Sequence, residues 1–266
     1  MHTFKIVKMS SVAVYSDGRI LKEMHVNHEH IVIEPFSESQ LNNCSYNVTL
    51  SEYFFRENNK PKFDPIFFNP WSERHVAKRW VSAEVNVATE ADAERLALKP
   101  GDKYIPLAPF ETILVATQEI IGGRGHITAM VKARSSTSRS LLSVCNGAGW
   151  GDVGYINRWT LMVTNLSRFA HVILPVGCSI AQIVFLECGY PNNPYKGKYQ
   201  DTNNPDMKAE DLVKELKEKW TPAMMLPQLY KEYPVEDESS SSEEEEEVAA
   251  EFEVQKHPIS TEISIS

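Results

Sequence analysis

Residues 133–165 read ARSSTSRSLLSVCNGAGWGDVGYINRWTLMVTN and form the most informative stretch of the sequence. Four glycines and an alanine lie between residues 147 and 155, where they permit close backbone approach and unusual dihedral angles. The run WTLMV at 159–163 then mixes β-branched and large apolar residues, a composition that favours a strand. A glycine-rich turn that leads into a strand predicts hairpin-based β structure here.

Similar short apolar runs surround this stretch, from about residue 10 to about residue 190. They are HIVIE at 30–34, CSYNVTL at 44–50, TILVA at 112–116, HVIL at 171–174 and IAQIVFL at 180–186. Several alternate polar with apolar residues, and turn residues such as the LPVG at 174–177 separate them. Many short strands with regular turns predict a mainly β protein, a distorted β-barrel or jelly roll.

Helical patterns occur at two places. Residues 88–98 could form one short helix within an insertion at about 56–100. Residues 206–220 place Leu212, Val213, Leu216 and Trp220 at helical spacing, with charged residues on the other faces. We expect this C-terminal helix to pack on the β domain, although a helix that binds a partner would show the same pattern.

The composition changes after residue 234. Ten acids and no Lys or Arg lie between 236 and 253, and without them the net charge rises from −9 to +1. Such a segment cannot bury enough apolar surface to offset its ordering entropy, so we predict a disordered acidic tail at 234–266. The predicted division is therefore a β domain at 1–205, a helical extension at 206–233 and this tail.

The net charge and the cysteines indicate the cellular compartment and the partners of the protein. A nearly neutral folded part provides no basis for binding nucleic acid, and the sequence contains no apolar run long enough for a transmembrane helix. The four cysteines, Cys44, Cys145, Cys178 and Cys188, lack C-x-x-C spacing and are expected to be buried thiols. We expect a cytoplasmic protein, with the nucleus as an alternative, and no membrane partner.

The turn at the start of the quoted stretch could bind phosphate. Arg134 and Arg139 bracket Ser135 and Ser136, which together offer two guanidinium groups and two hydroxyls. A helix cap or a solvated turn would use the same residues. The glycine-rich loop that follows could present main-chain groups to a flat base, with Tyr155 against a sugar, but it could equally be a plain hairpin.

Taken together, these motifs resemble the dCTP deaminase family of the dCTP deaminase/dUTPase superfamily. The matching pattern is R-S-S-x-x-R, then A-G-W-x-D-x-G-Y, then L-P-x-G-x-x-I-A-Q-I-x-F. Upstream, LAPFETILVATQE at 107–119 resembles the family's P-G-E-x-x-L-x-x-T-x-E strand, and downstream KGKYQ at 196–200 resembles its K-Y-Q segment. The resemblance covers about residues 30–203.

The resemblance implies a dUTPase-like (beta-clip) β-barrel that forms a homotrimer with sites between subunits. It implies a dCTP- or dUTP-type nucleotide with Mg²⁺ bound through the triphosphate rather than by protein side chains, and no zinc. The implied phosphate ligands are Arg134, Ser135, Ser136 and Arg139, the last also in catalysis, and the implied base pocket is Ala148, Gly149 and Trp150. Asp152 and Tyr155 would contact the deoxyribose, and Lys198, Tyr199 and Gln200 would close over the triphosphate.

One position departs from the pattern. The family's deaminases use a glutamate ten residues after the Asp of the hairpin as general base, and here that position is Met162. A thioether cannot exchange a proton, and loss of a general base costs on the order of 10²–10⁴-fold in rate.

Three hypotheses follow from this departure. The first is an enzyme that still makes dUTP or dUMP from dCTP. The second is a dUTP diphosphatase-type phosphohydrolase in which Asp152 orients the attacking water. The third is a non-catalytic trimeric homologue with a binding, regulatory or structural role.

Overall fold

The computed structural model describes residues 14–27, 30–58, 67–193, 195–200 and 207–232. Thirteen strands, β1 to β13, account for most of the regular structure. Their bounds are Ile31–Glu34, Leu41–Asn42, Ser45–Glu57, Trp80–Ala83, Asn86–Val87, Lys103–Leu107, Thr112–Gly123, Ile127–Ala133, Leu142–Val144, Trp150–Gly151, Ile156–Asn165, Val172–Pro175 and Ser179–Glu187.

The helices are short. The α-helices α1 to α5 are Asp17–Lys22, Glu73–Arg79, Glu90–Leu96, Ser135–Arg139 and Ala209–Lys219. A π-helical turn at Glu23–Asn27 follows α1, and 3₁₀ turns form at Glu38–Gln40, Pro222–Met225 and Leu229–Lys231.

Ten strands form one curled antiparallel sheet. Its main path runs β10-β8-β13-β3-β7-β11-β9, while β1 pairs with β7 and both β2 and β4 pair with β3. The remaining three strands form a small sheet in the order β12-β6-β5. The long strand β3 pairs with β13 near its start and with β7 and β4 near its end, so one strand links both halves of the curled sheet.

Strand β11 shows why these sequences form such a sheet. Its inward residues, among them Trp159, Leu161 and Val163, are buried in the main core, and the residues between them are only half-buried. The strand predicted from WTLMV is thus present, and its period of two gives it a core face and an outer face. The predicted mainly β fold is confirmed.

The outer face of the sheet is covered by the chain's own C-terminal extension. Leu212 and Leu216 of α5 are buried against Val32, Ile120 and Ile156, as expected for a helix packed on the β domain. The 3₁₀ turn after α5 adds a second apolar cluster. It joins Met225, Leu226 and Trp220 to Phe55, Trp80, Leu114, Ala116 and Met162.

Sequence patterns predicted only two of the five described α-helices, α3 and α5. The predicted helix at 88–98 is α3, with a Thr89–Asp92 capping box, and α5 lies within the predicted 206–220. Helices α1 and α2 were not predicted, although Ser16 and Ser72 cap them through their side-chain oxygens. Each is only six or seven residues long, so periodicity could not reveal it.

The cysteines differ in burial from the prediction. All four cysteines are free, but only Cys145 is buried, so the expectation of buried thiols was wrong for Cys44, Cys178 and Cys188, which lie in loops or at strand ends. Burial raises the pKa of the Cys145 thiol to about 12.

The acidic tail at 234–266 lies outside the described residues, and the division into 1–205, 206–233 and 234–266 stays a prediction. None of the described helices is long and apolar enough to cross a membrane.

Candidate functional site

The glycine-rich loop adopts the close backbone packing that its composition predicts. Val131 N–H donates to the Gly149 carbonyl at 2.7 Å, and β10 pairs Trp150 with Met130 and Gly151 with Ala129. A Cβ on Gly149 would lie 2.3 Å from the Val131 oxygen, and one on Gly151 would lie 2.4 Å from the Trp159 ring. Glycine is therefore required at both positions to seat the loop against β8 and the core.

The loop turns at Asp152 and leads into β11. The Tyr155 N–H donates to the Asp152 carbonyl at 2.9 Å, and Gly154 takes a φ of +95°, which favours glycine. Asp152 itself is exposed, with its carboxylate at the rim of the loop. The loop thus combines a rigid backbone with one accessible acid.

The segment 195–200 is attached to this loop by hydrogen bonds. Tyr195 N–H donates to the Val153 carbonyl at 2.8 Å, and Asn157 Nδ2 donates to the Tyr199 carbonyl at 3.0 Å. The buried Gln200 amide accepts from the Ile156 N–H at 2.7 Å and donates to the Gly154 carbonyl at 3.0 Å. Sequence-distant residues are thereby held beside the glycine-rich loop.

An open cleft of about 490 Å³ lies between the loop and this segment. Trp150 and Asp152 line it from the loop, Thr128 from β8, and Lys196 from the segment 195–200. The other lining residues are Val153, Cys188, Pro191, Asn193, Tyr195 and Gly197. The cleft offers an exposed indole, a carboxylate and an ammonium group, which can respectively contact a flat ring, a hydroxyl or water, and an anion.

Tyr155 lies beneath the cleft rather than in its lining. Its ring makes edge contacts with Trp159 at 5.4 Å and with Tyr195 at 5.3 Å between ring centroids. Burial raises the pKa of the Tyr155 phenol, so this group stays protonated at neutral pH. This aromatic set supports the wall of the cleft that Tyr195 forms.

The predicted phosphate-binding turn forms α4 and lies outside the cleft of its own chain. Arg134 precedes the helix and donates to the Ser179 carbonyl at 3.2 Å, while Ser135, Ser136 and Arg139 are exposed. None of the four lines the cleft. These side chains are therefore not part of the lining of the cleft that the same chain forms.

The residues predicted to close over a triphosphate have contacts within the chain. Lys198 pairs with Glu232, the Tyr199 hydroxyl accepts from the Gln228 N–H at 3.2 Å, and Gln200 is occupied as described above. Ala148 is exposed at the tip of the glycine-rich loop. Sequence reasoning missed Tyr195 and Lys196 as cleft residues, although Lys196 begins the quoted KGKYQ segment and Tyr195 directly precedes it.

Met162 occupies a covered position. It lies on the outer face of β11, opposite Leu114 of β7, and packs among apolar residues with Met225 and Leu226 of the C-terminal extension. It does not line the cleft. The side chain is therefore part of a packing cluster.

No three His, Cys, Asp or Glu side chains in the described part of the chain converge on a point where a metal ion could bind. The cleft offers Asp152 as a hard oxygen ligand. Mg²⁺ in nucleotide sites commonly takes one or two carboxylates together with substrate phosphates, so this donor set fits an ion that arrives with a polyphosphate.

Comparison with known proteins points to one family. A family model described as dCTP deaminase-like matches residues 14–188. A dUMP-forming dCTP deaminase of Clostridium botulinum strain Alaska E43 is 31% identical over 204 residues, which cover 76% of this chain and 99% of that protein. A dUMP-forming dCTP deaminase of Coprothermobacter proteolyticus is 27% identical over 197 residues, which cover 73% and 94%.

Solved structures show similarity at lower identity. The crystal structure of 2′-deoxycytidine 5′-triphosphate deaminase from Agrobacterium tumefaciens gives a TM-score of 0.41 at 14% identity, covering 66% of this chain. The present chain spans only 48% of that protein's length. A native EIAV dUTPase gives a TM-score of 0.29 at 18% identity and covers 43% of this chain and 92% of that one.

Proposed function

The chain belongs to the dCTP deaminase-like family, and from this premise we propose that its cleft binds a pyrimidine deoxynucleoside triphosphate of the dCTP or dUTP type. The observation that carries this proposal is the cleft itself. It joins Trp150 and Asp152 of the glycine-rich loop to Lys196 of a segment that lies more than forty residues later. The base would lie against the indole, and the loop backbone would provide hydrogen-bonding groups.

The charges around the cleft suggest how the rest of the ligand lies. The exposed Asp152 carboxylate suits the deoxyribose hydroxyl or a water, whereas Lys196 suits a phosphate oxygen. Mg²⁺, carried by the triphosphate, would neutralise the phosphate charge that one lysine leaves uncompensated. Arg134, Ser135, Ser136 and Arg139 would add phosphate contacts to the cleft of a neighbouring copy in a homotrimer.

Deamination through the position of Met162 is not part of this proposal. A thioether in an apolar cluster neither accepts a proton nor activates water. The second candidate function is hydrolysis of dUTP between its phosphates, favoured by the accessible Asp152 carboxylate, which could orient a water molecule. In that reaction water adds to the α-phosphorus, and the bond from this phosphorus to the α–β bridging oxygen breaks. The products are dUMP and pyrophosphate.

Binding and turnover can be measured on the same protein. We expect dCTP or dUTP with Mg²⁺ to raise the melting temperature, because a ligand at 100 times its Kd stabilises by about 2.7 kcal/mol. Quenching of Trp150 fluorescence, lost in Trp150→Phe, would locate the base. If neither nucleotide at millimolar concentration raises the melting temperature, the binding proposal is wrong.

Anion-exchange analysis of products separates the reactions. Pyrophosphate and dUMP formed from dUTP, with the rate lowered at least about 100-fold in Asp152→Asn, would support the phosphohydrolase. Asp211→Asn, which alters an exposed acid on α5, is the matched control and should leave the rate unchanged. Formation of dUTP or dUMP from dCTP would contradict the role that we assign to Met162.

The proposed sharing of sites between copies has its own test. Arg139→Ala and Asp152→Asn should each weaken nucleotide binding, whereas a mixture of the two variants after subunit exchange should recover a fraction of the sites. Recovery requires that the two residues serve one site from different chains. A monomeric mass in sedimentation equilibrium, or no recovery on mixing, would refute the shared site.

A further inference from the structure

Three loops meet at the end of the curled sheet where β11 finishes. They connect β6 to β7, α4 to β9, and β11 to β12. Phe110 N–H donates to the Asn165 carbonyl at 3.0 Å, and Leu166 N–H donates to the Leu141 carbonyl at 2.7 Å. The fully buried Asn165 amide adds bonds to the Ala108 and Ala170 carbonyls at 3.0 and 2.8 Å. The three loops therefore form one hydrogen-bonded unit.

This unit exposes four large apolar side chains, which we call the loop-end patch. They are Phe110 at 62%, Leu141 at 52%, Leu166 at 50% and Phe169 at 92% exposure. Single exposed apolar residues are ordinary on protein surfaces, but four on one bonded loop unit mark an interaction surface.

Two of the four side chains are held in an unfavourable backbone conformation. Phe110 has a φ of +59° and Leu141 a φ of +60°, both in the left-handed region. That conformation costs a residue with a side chain roughly 1–2 kcal/mol, a cost that glycine avoids. Neither side chain recovers this cost by burial within the chain, because both are more than half exposed. A ligand that covers them would recover it.

The patch is flanked by positive charge. Arg139 ends α4, immediately before one of the three loops, and Arg168 lies on another. Both are exposed, and neither forms an ion pair with any described residue. The nearby acid Glu111 is already paired with Arg56. An occupant of the patch should therefore combine apolar side chains with carboxylates.

One segment of the same chain has this chemistry. Residues 243–254 read EEEEEVAAEFEV, in which seven acids accompany Val248, Phe252 and Val254. No lysine or arginine occurs in the segment, so every charge in it is attracted to the two arginines.

The chain is long enough for the segment to reach the patch. Glu232 ends the described part and pairs with Lys198, next to Tyr199, whose carbonyl bonds Asn157 at the start of β11. The patch lies at the other end of β11, about 26 Å away at 3.3 Å per residue. The ten residues at 233–242 can span roughly 33–36 Å when extended.

We propose that the acidic segment 243–254 docks on the loop-end patch of its own chain, with Phe252 and Val248 against the apolar side chains and the glutamates beside Arg139 and Arg168. Arg139 is shared with the proposed phosphate contacts, so docking at Arg139 and nucleotide binding in a neighbouring cleft would compete for that side chain. Arg168 and Phe169, where the docking is tested, belong to neither proposed ligand set. The docking assigns an intramolecular partner to a surface that the β domain otherwise leaves exposed.

Photo-crosslinking of the full chain tests this docking. Phe169→p-benzoylphenylalanine keeps an aromatic group at the most exposed position of the patch, and mass spectrometry identifies what it captures. We expect capture of residues 243–254 within one chain, with a yield that does not change on dilution. Raising the salt concentration from 0.05 to 0.5 M should lower the yield several-fold, because screening weakens exposed ion pairs.

Charge reversal provides the matched pair of variants. Arg168→Glu in the crosslinking chain should reduce the yield several-fold, whereas Lys214→Glu, the same change on an exposed position of α5, should not. Adding Glu245→Lys and Glu246→Lys to Arg168→Glu should restore it. Capture of the body of the protein, capture only between chains, or an equal loss in both charge variants would overturn the proposal.

Discussion

At the scale of single residues, Met162 stands where the family resemblance implies a general-base glutamate, but its side chain packs in an apolar cluster. In this chain the position is covered by the C-terminal extension, with Met225 and Leu226 packed in the same cluster as Met162. A methionine suits such an irregular apolar contact because its side chain is flexible and polarisable. The surroundings of the residue, and not only its identity, are adapted to packing.

We therefore expect Met162→Glu to destabilise the protein by roughly 1–3 kcal/mol without creating a deaminase, since the carboxylate would be partly desolvated among apolar side chains. Burial should raise the pKa of the new carboxyl above its unfolded value. The native state would then bind the proton more tightly, so the variant should be closest to wild-type stability below about pH 4.3 and should lose stability as the pH rises.

Urea unfolding at pH 4 and pH 7 measures this effect. Met162→Leu, which roughly conserves volume, is the control and should cost less than about 1.5 kcal/mol at both pH values. A Met162→Glu protein that is as stable as wild type at pH 7 and deaminates dCTP would contradict this interpretation.

At the scale of elements, the segment 195–200 is a strap held on the glycine-rich loop by side chains that the family resemblance assigns to the ligand. Gln200 contributes two hydrogen bonds that hold the strap, because its buried side-chain amide accepts from the Ile156 N–H and donates to the Gly154 carbonyl. Lys196, by contrast, is exposed and faces the cleft. The contacts therefore show that Gln200 attaches the strap to the glycine-rich loop, whereas Lys196 lines the cleft.

Gln200→Ala should loosen this strap. It leaves the Ile156 N–H and the Gly154 carbonyl without their partners, and an unsatisfied buried group costs about 1–3 kcal/mol. We expect faster hydrogen exchange at Tyr195 N–H, which bonds Val153, and faster tryptic cleavage after Lys196.

Asn193→Ala, at an exposed position just before the strap, is the control and should change neither measurement. Equal protection of Tyr195 in wild type and Gln200→Ala would show that the strap is held by other contacts.

At the scale of the whole molecule, the C-terminal extension completes the packing of the curled sheet. The outer faces of β7 and β11 carry apolar side chains that α5 and the following 3₁₀ turn cover in two clusters. A salt bridge of 2.7 Å between Lys217 and Glu34 adds to this contact. The β domain alone would expose both clusters to water.

A chain shortened to residue 206 should therefore be markedly less stable and should bind a hydrophobic dye. The shortened chain lacks Leu212, Leu216 and Met225, whose burial stabilises the folded full chain by roughly 1.5–3 kcal/mol each. The sheet residues that they cover would become exposed. A chain shortened to residue 233 keeps all three side chains and should melt much closer to the full chain. Equal melting temperatures for the two shortened chains would show that the extension contributes little.

Sequence patterns alone predicted the mainly β class, the close backbone packing of the glycine-rich loop, the packed helix α5 and the family. These follow from local signals, because the period of two along β11, the helical spacing in α5 and the motif spacing are all written in neighbouring residues. The short helices α1 and α2 have only their capping serines as a signal.

The positions and contacts of the motif residues could be known only from the folded chain. The Gln200 amide bonds backbone groups of the glycine-rich loop, Lys196 lies at the cleft, α4 lies outside the cleft of its own chain, and Met162 is covered. Each of these outcomes depends on contacts between residues that are forty or more positions apart, such as Gln200 with Ile156. A side chain's role is set by which distant groups desolvate it or satisfy its hydrogen bonds, and no local pattern encodes them.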